Sequence, residues 1–119
     1  MPTFRRGDIV AAPYPYVEYP VVRRRPGLVV ATRFGPNDEL IWVLMITSAS
    51  NEGWEGDVRI DTPFETSGLR APSVVRTAKI ATIEDRSSTL IGRLSADNLA
   101  KVDEILLTAL DAMLPRNRS

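Results

Sequence analysis

A chain of 119 residues without cysteine or histidine can bury one core without disulfides, and it excludes thiolate nucleophiles, the usual zinc sites and histidine proton transfer. Fifteen basic residues balance fifteen acidic ones, so no whole-molecule field draws the protein to a polyanion, and any basic site must be local. Only Lys79 and Lys101 are lysine, which leaves thirteen arginines, three of them adjacent at Arg23, Arg24 and Arg25. Residues 1–119 are read as a single domain. Met1 to Asp8 holds no apolar signal core, and the longest apolar run, Leu40 to Ile46, is too short to span a bilayer. The expected setting is therefore the cytoplasm, away from membranes.

Asp8 to Ala12 is a short β-rich run between Gly7 and Pro13 and is read as the first strand. Pro13 to Arg24 follows, with Pro13, Pro15 and Pro20 interleaved with Tyr14, Tyr16 and Tyr19. Three prolines in eight positions exclude a helix interior and a central strand, so this segment is an exposed loop. Its tyrosines either cover one end of the core or stack on nucleic-acid bases, and Tyr16 is the candidate for the second role.

Pro26 to Thr32 reads as strand two, ended by turn chemistry at Gly35-Pro36-Asn37-Asp38. Leu40 to Thr47 reads as strand three, and its continuous apolar character marks a central strand buried on both faces. Ser48 to Gly56 is polar and expected to be a mobile loop carrying Trp54, either a lid over a groove or a residue packed back on the barrel. Asp57 to Asp61 is a short strand, Pro63 to Leu69 is irregular with a turn at Gly68, and Ser73 to Thr77 is a strand continuing into Ile80 to Ile83. Leu90 to Leu94 is the last strand. Ser95 is a good N-cap for a helix reaching about Leu114, with Leu99, Val102, Ile105, Leu106, Ala109, Leu110 and Met113 at helical spacing and Pro115 as the stop.

The chemistry concentrates between Arg23 and Ser48, where two strands bring arginines and the hydroxyls of Thr47 and Ser48 towards one place. Guanidinium groups engage phosphate oxygens bidentately and hydroxyls on a rigid strand bond the same oxygens, so the pattern points to a phosphodiester and to an RNA-directed site. Arg76, beside the apolar pair Val74-Val75, is either a solvated strand residue or a further cation of that site. Arg23 and Arg24 read as attracting an RNA backbone or an acidic protein segment.

In order along the chain, Arg6-Gly7-Asp8-Ile9-Val10, Arg24-Arg25-Pro26-Gly27-Leu28-Val29-Val30, Ile46-Thr47-Ser48, Gly68-Leu69 leading to Ser73-Val74-Val75-Arg76, Ile91-Gly92-Arg93-Leu94-Ser95 and Lys101-Val102-Asp103 resemble the MazF/PemK family of toxin-antitoxin ribonucleases. Each piece is short, but their order and spacing together are specific and cover nearly the whole chain. The resemblance implies a mainly-β fold, an SH3-like barrel with a C-terminal α-helix. It further implies a homodimer that cleaves single-stranded RNA without metal or other cofactor, with the substrate's 2'-hydroxyl as nucleophile, and that a cognate antitoxin protein neutralises. It places catalysis on Arg25 and Thr47 and substrate binding on Ser48 and Arg76, while Arg24 and Tyr16 join the substrate-binding candidates on the residue reading given above.

Some PemK-like members carry an aspartate two residues beyond the strand arginine, where this chain has Ala78, and a histidine in the first loop, where it has none. Glu18 occupies that loop and is included among the substrate-binding candidates by position. Two other readings stand beside the nuclease. One is a noncatalytic barrel of the gyrase-poisoning CcdB type that binds a protein target, and the other is a decayed toxin that retains only antitoxin binding.

Overall fold

Leu28 and Val30 on one side of a strand, and Val29 on the other, are all buried, which requires cover on both sides of the sheet. The computed structural model describes residues 3–14 and 23–113. Its elements are β1 (Asp8–Tyr14), β2 (Arg23–Phe34), β3 (Leu40–Ser48), a 3-10 turn (Ala49–Asn51), β4 (Asp57–Arg59), a four-residue helix α1 (Phe64–Ser67), β5 (Ser73–Glu84), a second 3-10 turn (Asp85–Ser87), β6 (Thr89–Arg93) and α2 (Ala96–Met113). The described strands make one antiparallel sheet in the order β4-β5-β3-β2-β1-β6.

Two apolar clusters follow from the strands' alternation of side chains. Ile9, Leu28, Leu44, Ile46 and Val75 pack with Val102 of α2, and Leu99, Ile105 and Leu106 close over them. Val10, Ala12, Val29, Ile41, Val43 and Ile83 form the other, with Phe4. The mainly-β expectation and the C-terminal helix are both borne out. Ser95 caps α2 as its sequence predicts, its hydroxyl accepting from the Asn98 amide at 3.2 Å. The far half of the helical stripe does not pack: Ala109 and Leu110 are exposed.

Several boundaries differ from the sequence reading, each for a local reason. β1 continues through Pro13 to Tyr14, pairing with β2 up to Tyr14↔Arg23. Its other neighbour, β6, is paired only as far as Ala11↔Thr89, so β1 is an edge strand there and tolerates proline. β3 is central, as expected, yet Trp42 is exposed and lies stacked on Phe34 with ring centroids 4.7 Å apart. The 49–56 segment is tied down by a 3-10 turn and hydrogen bonds, whereas its polar composition reads as a mobile loop. Residues 64–67 wind into α1, which ends at Gly68 in the left-handed region at φ 74. A Cβ there would meet the Ile91 carbonyl oxygen at 1.9 Å, so glycine is required for this approach of α1 to β6.

α2 is fixed to the sheet by a buried polar node as well as by its apolar face. Asn98 is wholly buried. Its Oδ1 accepts from the Asp61 amide, the Thr62 amide and the Thr62 hydroxyl at 3.1, 3.1 and 2.7 Å, and its Nδ2 donates to the Arg59 carbonyl at 3.4 Å. At the other end of the sheet the buried Asp8 accepts from Arg93, and Arg6 bridges to Asp103 of α2.

Candidate functional site

Strand pairing decides which of the predicted residues meet, because residues opposite each other in an antiparallel sheet share a face. One row across the sheet reads Val10, Gly27, Met45, Arg76 and Asp57. The next row on the same face, two residues along, holds Ala12 and Arg25 on β1 and β2 and Thr47, Val74 and Arg59 on β3, β5 and β4. Arg25, Thr47 and Arg76 therefore lie on one face of the sheet. Gly27, without a side chain, sits in the row beneath Arg25.

The intervening residues Arg24 and Ser48 fall on the opposite face by the same alternation. Arg24 clamps strands together: its guanidinium donates to the carbonyls of Ser87 at 3.0 Å and Ala11 at 2.9 Å and to the Thr89 hydroxyl at 2.9 Å. Ser48 caps the 3-10 turn, its hydroxyl accepting from the Ser50 amide at 3.3 Å and lying 2.9 Å from the Ser50 hydroxyl. Tyr16 and Glu18 lie outside the described residues.

Arg76 is buried, 7% exposed, and a buried guanidinium needs a paired anion. Asp57 supplies it through two bonds, Nε to Oδ1 at 3.2 Å and Nη2 to Oδ2 at 3.0 Å. Arg76 Nη2 also donates to the Asn51 carbonyl at 2.6 Å. The hydrogen bond from Arg76, reinforced by the amides of Trp54 and Gly53, holds the Asp57 carboxyl below its ordinary value of 3.8. Such a carboxylate is a poor proton acceptor. Trp54 lies over the guanidinium with its centroid 4.2 Å from Cζ, and Lys79 Nζ is 5.6 Å from the same ring. The tryptophan is thus packed back on the sheet, with nearly half of its surface still open.

Thr47 joins this network through Asn51, whose Nδ2 donates to Thr47 Oγ1 at 3.0 Å. Arg25 is exposed at its place in β2. The face so assembled presents a cation and a hydroxyl outward, above a second cation whose charge is matched from below by Asp57. It can hold an anionic oxygen between guanidinium and hydroxyl donors. Asn51 and Asp57 escaped the sequence reading. Asp57 opens a short strand and Asn51 sits in a polar loop, and only the pairing of β5 with β4 and with β3, unavailable from composition, sets them against Arg76.

The description "PemK-like, MazF-like toxin of type II toxin-antitoxin system" applies to a family whose model matches residues 5–110. The chain belongs to this family. Among curated proteins no sequence relative matches it. Solved structures do. The Mycobacterium tuberculosis toxin MazF-mt6 is 25% identical, with 87% of this chain and 96% of that one covered at a TM-score of 0.66. MazF from Deinococcus radiodurans is 22% identical over 89% and 94% of the two chains, also at 0.66. An endoribonuclease solved in complex with its cognate antitoxin from a Mycobacterial species is 18% identical over 98% and 100%, at 0.63. The SH3-like barrel with a C-terminal helix expected of MazF/PemK toxins is the fold this chain shares with them.

Proposed function

We propose that this MazF/PemK toxin is a sequence-selective endoribonuclease that cleaves single-stranded RNA through the substrate's 2'-hydroxyl, without metal, leaving a cyclic phosphate and a free 5'-hydroxyl. The observation that carries the reading is the common face of Arg25, Thr47 and Arg76. In-line attack by a 2'-hydroxyl piles negative charge on the nonbridging phosphate oxygens. Donors fixed beforehand stabilise that charge more than they stabilise the ground state. Arg25 and Thr47 are the catalytic residues in this reading, donating to those oxygens. Arg76, bonded to Asp57 and Asn51 through Nε and Nη2, holds the loop and belongs to the substrate-binding face in this reading. Family membership supports the toxin role, and the Mycobacterial endoribonuclease solved with a cognate antitoxin supports assigning this chain an antitoxin of its own. A homodimer in the cytoplasm, where messenger RNA is met, completes the proposal. The exposed apolar side chains of α2, Leu107 and Leu110, offer surface for such a contact.

The test is cleavage of a long single-stranded RNA in excess chelator, comparing wild type with Arg25→Ala and Thr47→Ala. Each variant should fold normally and lose about a hundred- to a thousandfold in rate, the usual effect of removing one transition-state donor. Wild type should cut at a recurring short motif with cyclic phosphate ends. A folded wild type that leaves varied RNAs intact would sink the nuclease reading and turn attention to a protein target or to antitoxin binding alone.

A further inference from the structure

We propose that Asn51 is a positioning residue for Thr47, aiming the threonine hydroxyl at the scissile phosphate; the inference rests on the nuclease reading of this face. A hydroxyl has one hydrogen to donate and two lone pairs to accept with. Left alone, a strand-end threonine readily turns its O–H onto a neighbouring backbone carbonyl, where it is lost to a substrate. Asn51 Nδ2 donates to Thr47 Oγ1 at 3.0 Å, so one lone pair is occupied and the hydrogen is left to a different acceptor. An anionic phosphate oxygen is the acceptor the face is built to receive.

The amide can do this only if its own backbone is held, and it is held from below. Arg76 Nη2 donates to the Asn51 carbonyl at 2.6 Å, and Arg76 is itself fixed by the two bonds to Asp57. The 3-10 turn closes through the Glu52 amide, which donates to the Ala49 carbonyl at 3.1 Å. Asp57 in turn accepts from the amides of Gly53 and Trp54 at 3.3 and 3.2 Å. The buried ion pair thus pins both ends of the 51–54 segment, and Asn51 carries that rigidity to the reacting hydroxyl. This accounts for a feature the charge pattern alone leaves unexplained: a buried arginine in a phosphodiester site with its charge already matched by an acid.

Single-turnover cleavage with enzyme in excess reads the effect. Asn51→Ala should lower the rate at saturation about tenfold, the rate equivalent of one modest hydrogen bond, with half-saturation changed by less than about threefold. Because Asn51 is exposed, the unfolding midpoint should not move. In a Thr47→Val background the same change should cost nothing further, since there is no hydroxyl left to aim. Asn51→Asp offers a second measure that needs no residual activity in Thr47→Val. Its ionised carboxylate accepts where the amide donated and turns the hydroxyl inward. Its deficit relative to wild type should exceed that of Asn51→Ala at neutral pH and narrow as the pH falls through the carboxylate range, where the neutral acid donates again. A full tenfold cost of Asn51→Ala persisting in Thr47→Val overturns the proposal, as does a raised half-saturation with an unchanged rate, which makes Asn51 a binding residue. Wild-type activity with a fully active Asn51→Ala removes this inference alone, whereas an inactive wild type removes the nuclease reading beneath it.

Discussion

Two asparagines tie loops to the frame of this molecule, and they differ in almost everything else. Asn98, wholly buried at the start of α2, holds residues 59–62 with both ends of its side chain. Asn51, exposed on the 3-10 turn after β3, holds one hydroxyl with its amide and is held by its backbone carbonyl. Water replaces any lost bond at position 51 at little cost. At position 98 no water competes, and three donors facing Oδ1 lose their acceptor together if the side chain goes. One network serves the fold and the other serves a surface. Between them lies the Arg76–Asp57 pair, buried like the first and connected to the second, and its removal should damage stability and activity together.

That middle position makes Asp57→Ala the most disruptive single change. It leaves a buried guanidinium without its anion, which for such pairs costs at least about 3 kcal/mol, and it frees the amides of residues 53 and 54. Urea unfolding should register the loss, and RNA cleavage below the melting temperature should fall as well, because Asn51 is no longer held. A variant with wild-type stability would contradict the burial of this pair. Asn98→Ala should come next at about 2 kcal/mol, the penalty of one buried donor left unsatisfied, the Thr62 amide, since the Asp61 amide is only part-buried and the Thr62 hydroxyl can turn to another acceptor. Its cleavage rate under conditions where the protein is folded should stay near wild type. If that rate falls as steeply as stability does, the separation between the two asparagines does not hold.

The sequence carries the fold better than it carries the site, for a physical reason. Burial writes itself into single strands: the run of β2 ended by its turn residues, the apolar run of β3 and the 3.6-residue stripe of α2 are each legible without knowing a partner, and so is the Ser95 cap. Trp42 shows the limit, since an apolar residue in an apolar run reads as core whether its neighbour on the next strand covers it or not. The site depends on register across strands distant in sequence. Arg25 and Thr47 were legible as an arginine before Pro26 and a hydroxyl ending a strand, with family spacing to join them. Arg76 was legible as a cation but not as a buried one, because its burial depends on Asp57 nineteen positions earlier and on Trp54 lying over it. Arg24 stands in the same arginine run as Arg25, and only the alternation of β2 separates a strand clamp from a residue on the face of Thr47 and Arg76.

The smallest effect is also the sharpest probe of the middle pair. Asp57→Asn removes the charge but keeps an amide oxygen that can still accept from Arg76 Nη2 and from the amides of residues 53 and 54, so at neutral pH it should cost less than Asp57→Ala, about 1.5 kcal/mol. The pH dependence of that gap follows from the direction of the Asp57 shift. Its folded-state value lies below the unfolded one, mainly through the hydrogen bond from Arg76, so the carboxylate's contribution is present in full above the unfolded value of 3.8. The contribution is lost as pH falls through the folded-state value, where the carboxyl takes up a proton and becomes neutral like the asparagine. Wild type and Asp57→Asn should therefore differ in urea midpoint from neutral pH down to about pH 4 and converge below it. All other groups are the same in both proteins and cancel in the comparison, which leaves the gap to report on Asp57 and its partner Arg76. A gap that stays constant into strong acid would mean that shape, not charge, is what Arg76 requires of residue 57, and that the ion pair contributes little to holding the loop beneath Thr47.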